Sequence, residues 1–167
     1  MRSIPDSGFA GDLGQADPGL AAALADSVST GAGSQAHHQV LARLQDSRVL
    51  VPVVAILGEV EHDEQGLAHD KSSDMAAVLM TGRDGRTALL AFTGTESLRA
   101  WDPAARPVPV TARHAARAAL QDGAAALLLD VAGPAMFVVE GEDLGSLAAD
   151  HRLVQMGGDW AWVADGT

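Results

Sequence analysis

Between Lys71 and Val110 the chain carries its strongest local instructions: KSSDMAAVLMT (71–81), GRDG (82–85), RTALLAFTGTESLRAW (86–101) and DPAARPVPV (102–110). Two apolar runs, Asp74–Thr81 and Arg86–Thr93, flank a turn punctuated by Gly and Asp, which is the pattern of a β-hairpin. Thr95 then stands where a helix N-cap is wanted, with Glu96 in the first turn and Leu98 and Trp101 three apart on one face. Asp102-Pro103 stops that helix, because proline disfavours the helical backbone of the residue before it. Val108–Val110 is flanked by prolines, which donate no ladder hydrogen bond, so it reads as a short or edge strand.

The flanking segments extend this pattern. RVLVPVVAIL (48–57) is a near-continuous β-branched and aliphatic run, as in a strand buried on both faces. Pro52 inside it requires a bulge, an interruption or a partly exposed edge. Upstream, residues 1–16 mix Gly, Ser, Asp and Pro without periodicity and are expected to be a disordered tail with no face to bury. Asp17-Pro18 supplies an N-cap acid and a proline at N1 for a helix through Leu20 and Leu24 to about Ser29. The joint STGAGS (29–34) leads to a second helix over Gln35–Gln45, with Val40, Leu41 and Leu44 on one face.

Downstream, Thr111 starts a helix through Gln121, and Asp122-Gly123 ends it. Ala124–Leu129 reads as a buried strand closed by Asp130. Ala135–Val139 follows Gly133-Pro134 as its hairpin partner or its neighbour. Asp143–Ala149 is a short helix and Trp160–Val163 a last apolar stub. The alternation in DWAWV is read as turning one of Trp160 and Trp162 to the core and the other outward. The expected architecture is a single α+β domain, a mixed sheet of about five to six strands covered by helices. Its parts are the tail (1–16), N-terminal helices (17–47) and an α/β core (48–167).

Composition narrows the function. The net charge of −11 and an isoelectric point near 4.7 argue against nucleic acid, whose phosphates are met by clustered cationic side chains. The same charge disfavours anionic membrane surfaces and favours a basic protein partner or a cation. With no cysteine, disulfides, thiolate zinc sites and cysteine nucleophiles drop out together. No apolar run approaches the ~18 residues of a membrane span, and Met1-Arg2 opens no export signal, so a cytoplasmic protein is expected. Tyrosine is absent and only 4% of residues are aromatic, so Leu, Val and Ala must fill the core. Arginine outnumbers lysine ten to one, a bias that suggests a GC-rich bacterial genome.

The stretch from KSSDMAAVLM to RPVPV, with the preceding LVPVVA strand and the later AALQDGAAALLLDVAGP segment, resembles the SseB N-terminal domain family, named for an enhanced-serine-sensitivity phenotype. The resemblance covers roughly residues 41–140 and leaves the tail and first helix outside it. It implies a small α/β domain of bacteria and brings no biochemical activity with it. The chain is expected to be too short for the second, C-terminal domain of longer members, so the serine phenotype does not transfer.

No catalytic constellation emerges. There is no GxSxG elbow, no GxxxxGK[ST] loop and no GxGxxG after a strand. In Gly94-Thr95-Glu96-Ser97 the polar residues are explained by helix capping. His62, Asp63, Glu64, His69 and Asp70 match no compact metal-ligand spacing, and His37-His38 point about 100° apart on a helix. No metal or other cofactor is therefore expected, and no enzyme. What remains is a partner surface. Lys71 is the only lysine and stands beside Ser72 and Asp74, while Trp101 and Arg106 are of the residue types that dominate interface hot spots. The expected function is a non-catalytic binding or adaptor domain that recognises a protein partner there. The alternative is a metabolite-sensing pocket beside the 58–74 loop.

Millimolar Ca²⁺, Mg²⁺ or Zn²⁺ should leave the melting temperature nearly unchanged in a thermal scan, because a bound ion would stabilise by mass action. A rise of several degrees with one metal, abolished by His62→Ala and His69→Ala together, would overturn the reading of the acidic loop.

Overall fold

The computed structural model describes residues 9–31, 33–56 and 74–165. In chain order these form α1 (Pro18–Ser29), α2 (Ser34–Leu44), β1 (Arg48–Ile56), β2 (Asp74–Ala77), β3 (Leu79–Thr81), β4 (Thr87–Ala91), α3 (Thr95–Trp101) and β5 (Arg106–Thr111). There follow α4 (Ala112–Gln121), β6 (Ala126–Leu129), β7 (Phe137–Glu140), α5 (Gly141–Ala148), β8 (Arg152–Met156) and β9 (Asp159–Val163). The α+β class is as expected from the sequence. The strands, however, divide into three groups, ordered β2-β1-β5, β3-β4-β6-β7 and β8-β9.

β1 joins the first two groups. Leu50 exchanges both backbone hydrogen bonds with Phe92, at 2.7 and 2.8 Å, on the side away from β5. Antiparallel positions alternate, so Pro52, two residues on, also faces away from β5, where its missing N–H breaks no rung of that ladder. It lies between the Leu50–Phe92 bridge and the start of the β2 ladder at Val53, so the proline marks the change of partner. Pro107 and Pro109 of β5 stand opposite Pro52 and Leu50, which turns their nitrogens to the open edge of the sheet. Prolines on an outer edge discourage further strand pairing.

The apolar strands bury both faces, and alternate residues go to different cores. Val49, Val51, Leu89, Ala91, Leu127 and Leu129 join the main cluster beneath α1, α2, α4 and α5. Leu50, Leu90 and Phe92 turn to the opposite side, where α3 supplies Leu98 and Trp101. On α4 the buried positions are Ala112, Ala115, Ala116 and Ala119, and these small side chains let the helix lie close to the sheet.

Two helices, α1 and α4, start at the side-chain caps expected from sequence, whereas α2, α3 and α5 have none. Asp17 accepts from the Leu20 N–H at 2.8 Å, and Thr111 accepts from the His114 N–H at 3.1 Å. For α3 the N-cap is Gly94, and Thr95 is the first helical residue rather than the cap. A Cβ at position 94 would lie 2.8 Å from the Ala16 nitrogen, so glycine is required by a neighbouring chain segment. That segment corrects the expected tail, since part of residues 9–16 docks on the domain through hydrogen bonds instead of hanging free.

The C-terminal stub is in fact one strand of the β8-β9 hairpin, turned at Gly157-Gly158. Its two tryptophans are not divided between core and solvent. Residues two apart on a strand share a face, and Trp160 and Trp162 both pack, half-buried, on the main core. Trp162 donates to Asp143 at 2.9 Å and Trp160 to Gln35 at 3.1 Å. Buried Gln45 holds the hairpin from inside, accepting from the Leu153 N–H at 2.8 Å and donating to its carbonyl at 3.1 Å. The Asp84 carboxyl at the β3-β4 turn is held below the usual carboxylate range by its hydrogen bond from Arg86.

The smaller core has a clear energetic centre. Phe92 is fully buried, and Trp101 packs over it at 5.5 Å between ring centroids while remaining half-exposed. Phe92→Ala should cost about 3–5 kcal/mol in urea denaturation and Trp101→Ala roughly half as much, because only part of the indole leaves water. Equal losses would place Trp101 deeper than this packing does.

Candidate functional site

β4 and β6 lie side by side and parallel, with Ala91 opposite Leu129. Ligands of open α/β sheets lie outside the carboxyl ends of such strands. Here the chain leaves β4 through Thr93 and Gly94 and leaves β6 through Asp130. Beyond them opens a cleft of about 1700 Å³. Its walls come from residues 9–16, α1, α3, the β5 edge and the turn 132–135, and they are mostly apolar. Phe9, Leu13, Leu24, Val28, Pro107 and Pro109 are among the apolar residues that line it.

The cleft floor is locked by a buried polar pair. Asp130, 3% exposed, accepts from the Thr93 N–H at 2.9 Å and from the Thr93 hydroxyl at 2.7 Å. Asp130 has a φ of 52°, a left-handed conformation that aspartate tolerates better than most residues. Its N–H continues the ladder to the Ala91 carbonyl at 3.0 Å, and its own carbonyl accepts from Gly133 at 2.9 Å. Each carboxylate oxygen already has a donor, so this acid fixes the two strand ends together. Among the described residues lining the cleft there is no histidine, lysine or cysteine. Ser97 donates to the Gly94 carbonyl at 3.0 Å, which occupies its hydroxyl.

Arg48 ties the N-terminal wall to this floor. Its Nε donates to Asp12 Oδ2 at 2.6 Å and its Nη2 to Asp12 Oδ1 at 2.9 Å, a two-pronged ion pair. The same Nη2 reaches the Gln15 carbonyl at 2.6 Å, and Nη1 donates to the Thr93 carbonyl at 3.0 Å. Only 14% of the Arg48 side chain and 21% of the Asp12 side chain are exposed, so water screens the pair incompletely. A further hydrogen bond runs from the Thr95 N–H to the Gly14 carbonyl at 2.7 Å.

The residues singled out from sequence do not converge on this cleft. Lys71 and Ser72 lie outside the described residues, as do His62, Asp63, Glu64, His69 and Asp70. Asp74 is at the end of the β1-β2 ladder, opposite Ile56. Trp101 faces Phe92 and Arg106 begins β5, exposed, opposite Val53. Neither lines the cleft, although Pro107 and Pro109 of the same proline-rich run do. The rings of His37 and His38 meet edge-on at 6.0 Å between centroids but take different partners, His37 bonded to Asp143 at 3.0 Å and His38 stacked over Trp160.

Sequence reasoning missed Asp12, Arg48, Thr93 and Asp130. Two of them carry a usable signal, since Thr93 and Asp130 are each the polar residue that closes an apolar strand. The Arg48–Asp12 pair has none, because nothing local connects residues 36 positions apart.

The model of the SseB protein N-terminal domain matches residues 20–146, which takes in α1 through most of α5. The chain belongs to the SseB N-terminal domain family. Neither the curated proteins nor the solved structures hold a significant match to it. The SseB domain begins earlier than the resemblance drawn from sequence, for α1 falls inside it and packs Leu20 and Leu24 into the main core. Both faces of the Thr93–Asp130 lock lie within the matched region, whereas Asp12 lies before it and the β8-β9 hairpin after it. Among the described residues no helix is long and apolar enough to cross a membrane.

Thr93→Val keeps the side-chain shape but removes the hydroxyl donor to a buried carboxylate. It should destabilise the SseB domain by about 1.5–3 kcal/mol in urea denaturation, the range for a hydrogen bond to a charged group. Thr93→Ser should recover most of that loss; equal costs for the two variants would show that Asp130 does not depend on the hydroxyl.

Proposed function

We propose that this SseB-family domain is a non-catalytic binding module whose cleft receives an apolar segment of a protein partner. The supporting observation is the size and character of the cleft at the ends of β4 and β6. Small-molecule sites run to roughly 300–1,000 Å³ and fix their ligand with a few convergent polar groups. This cleft, at about 1700 Å³, is larger, and the best-buried polar groups on its floor, Thr93 and Asp130, are engaged with each other. A large, mostly apolar cleft suits an extended or helical peptide, whose own backbone satisfies its polar groups or leaves them at the open side. The prolines of β5 contribute a stiff apolar wall, which loses little conformational freedom on binding.

Catalysis is not part of this reading. The described lining holds no histidine, lysine or cysteine, and the Ser97 hydroxyl and the Asp130 carboxylate are hydrogen-bonded, which leaves Glu96 on the open wall as its exposed carboxylate. The net charge of −11 adds an electrostatic preference for a basic partner, acting on encounter more than on final affinity. Lys71, Ser72, Asp74, Trp101 and Arg106 remain candidates for a contact that extends beyond the cleft.

A phage library of random dodecapeptides, selected on the purified domain, tests the reading. Enriched peptides are expected to be apolar-rich and to bind at least tenfold more weakly to the Ala25→Arg and Ala100→Arg variants. Both positions are exposed on the cleft walls, so stability should change by no more than about 0.5 kcal/mol. Arg83→Ala, in the β3-β4 turn, should bind normally. Peptides that bind all three variants like the parent protein would move the site elsewhere.

A further inference from the structure

The wall formed by residues 9–16 differs in kind from the other walls of the cleft. None of these eight residues is buried, and Leu13 is 84% exposed, so burial of apolar surface contributes little to its docking. What holds it is polar: the two-pronged Arg48–Asp12 pair, the Arg48 bond to the Gln15 carbonyl and the bond from the Thr95 N–H to the Gly14 carbonyl. The segment turns at Gly11 and Gly14, with φ of 84° and 78°, conformations that side-chain-bearing residues rarely adopt. Its fit is close, since a Cβ at Gly14 would collide with the Thr95 hydroxyl. Downstream it runs into α1, which is anchored by buried Leu20 and Leu24. It also lies before the part of the chain that matches the family, whereas the other walls and the floor of the cleft lie within or beside that part.

We propose that residues 9–16 are a releasable strap that closes one side of the cleft, fastened chiefly by Arg48. Elements that open under native conditions have few buried apolar contacts, and none of residues 9–16 is buried. Release leaves α1 and the core in place, because their packing is separate from the strap. The cleft then widens along the side between α1 and α3. Arg48 also holds the Thr93 carbonyl, so the residue that fastens the strap touches the cleft floor and is placed to sense what lies on it. The gating role rests on the cleft being the binding site; release of the strap does not.

Amide hydrogen exchange on the full chain decides the release without any ligand. Asp12→Asn weakens one anchor, and Gly14→Ala independently breaks the other by steric collision. Exchange at the Thr95 N–H, which reports the Gly14 contact, should accelerate roughly tenfold or more in each variant, with Leu90 and Leu127 in the core strands unchanged. An unchanged Thr95 rate in both variants, or equal acceleration in the core strands, overturns the strap. The apolar dye 8-anilinonaphthalene-1-sulfonate tests the gating. It should bind both variants several-fold more tightly than the parent protein, and parent-like affinity overturns the gate. Dye fluorescence absent from all three proteins counts against the cleft as a binding site and hence against the gate, and the exchange result still decides the strap.

Discussion

Strands β1, β4 and β6 are apolar at successive positions, and a strand with two apolar faces must be covered on both. Most of the fold follows from that requirement. One face is large and takes α1, α2, α4 and α5, with alanines on α4 allowing close approach. The other face is small and is covered by Leu98 and Trp101 of α3, with Val78, Met80 and Val131 at its margins. Because α3 must reach back over that second face, the chain leaves β4 by a sharp turn at Thr93-Gly94. The cleft lies at that turn, so its position follows from how the minor core is covered.

The buried polar groups on the cleft floor are mutually engaged. Asp130 and Thr93 hold adjacent strand ends, and Arg48 links the Thr93 carbonyl to a segment far upstream. Removing one partner from such a network leaves another buried polar group without its bond, which costs more than the bond itself contributes. This network gives the cleft a fixed floor. Two kinds of wall result: those made by packed helices and strands, and one held mainly by polar contacts.

Sequence reasoning reached the fold class, the hairpin at Gly82–Gly85, the edge strand at β5 and the family. It also reached both-face burial of β1 over residues 49–52, because an aliphatic run there leaves no polar face. It did not reach the strand orders β2-β1-β5 and β3-β4-β6-β7, since strand partners are chosen by long-range pairing with no local signature. It placed both a core and a solvent role on the DWAWV tryptophans, although strand periodicity puts residues 160 and 162 on one face. It read residues 1–16 as a tail because they lack apolar periodicity, but residues 9–16 dock through hydrogen bonds, which periodicity does not detect.

The functional residues divide along the same line. Apolar runs, turn glycines and helix caps act over a few residues, so the sequence by itself determined which segments become strands and helices and where most of them end. The cleft depends on which strand ends become neighbours, and β4 and β6 come together across 34 intervening residues from Phe92 to Ala125 only when the whole sheet assembles. The pairing of Arg48 with Asp12, and of Asp130 with Thr93, was likewise decided by tertiary structure. A charge or a hydroxyl has no preferred partner along the chain until packing brings one within hydrogen-bonding distance and excludes the water that would otherwise serve.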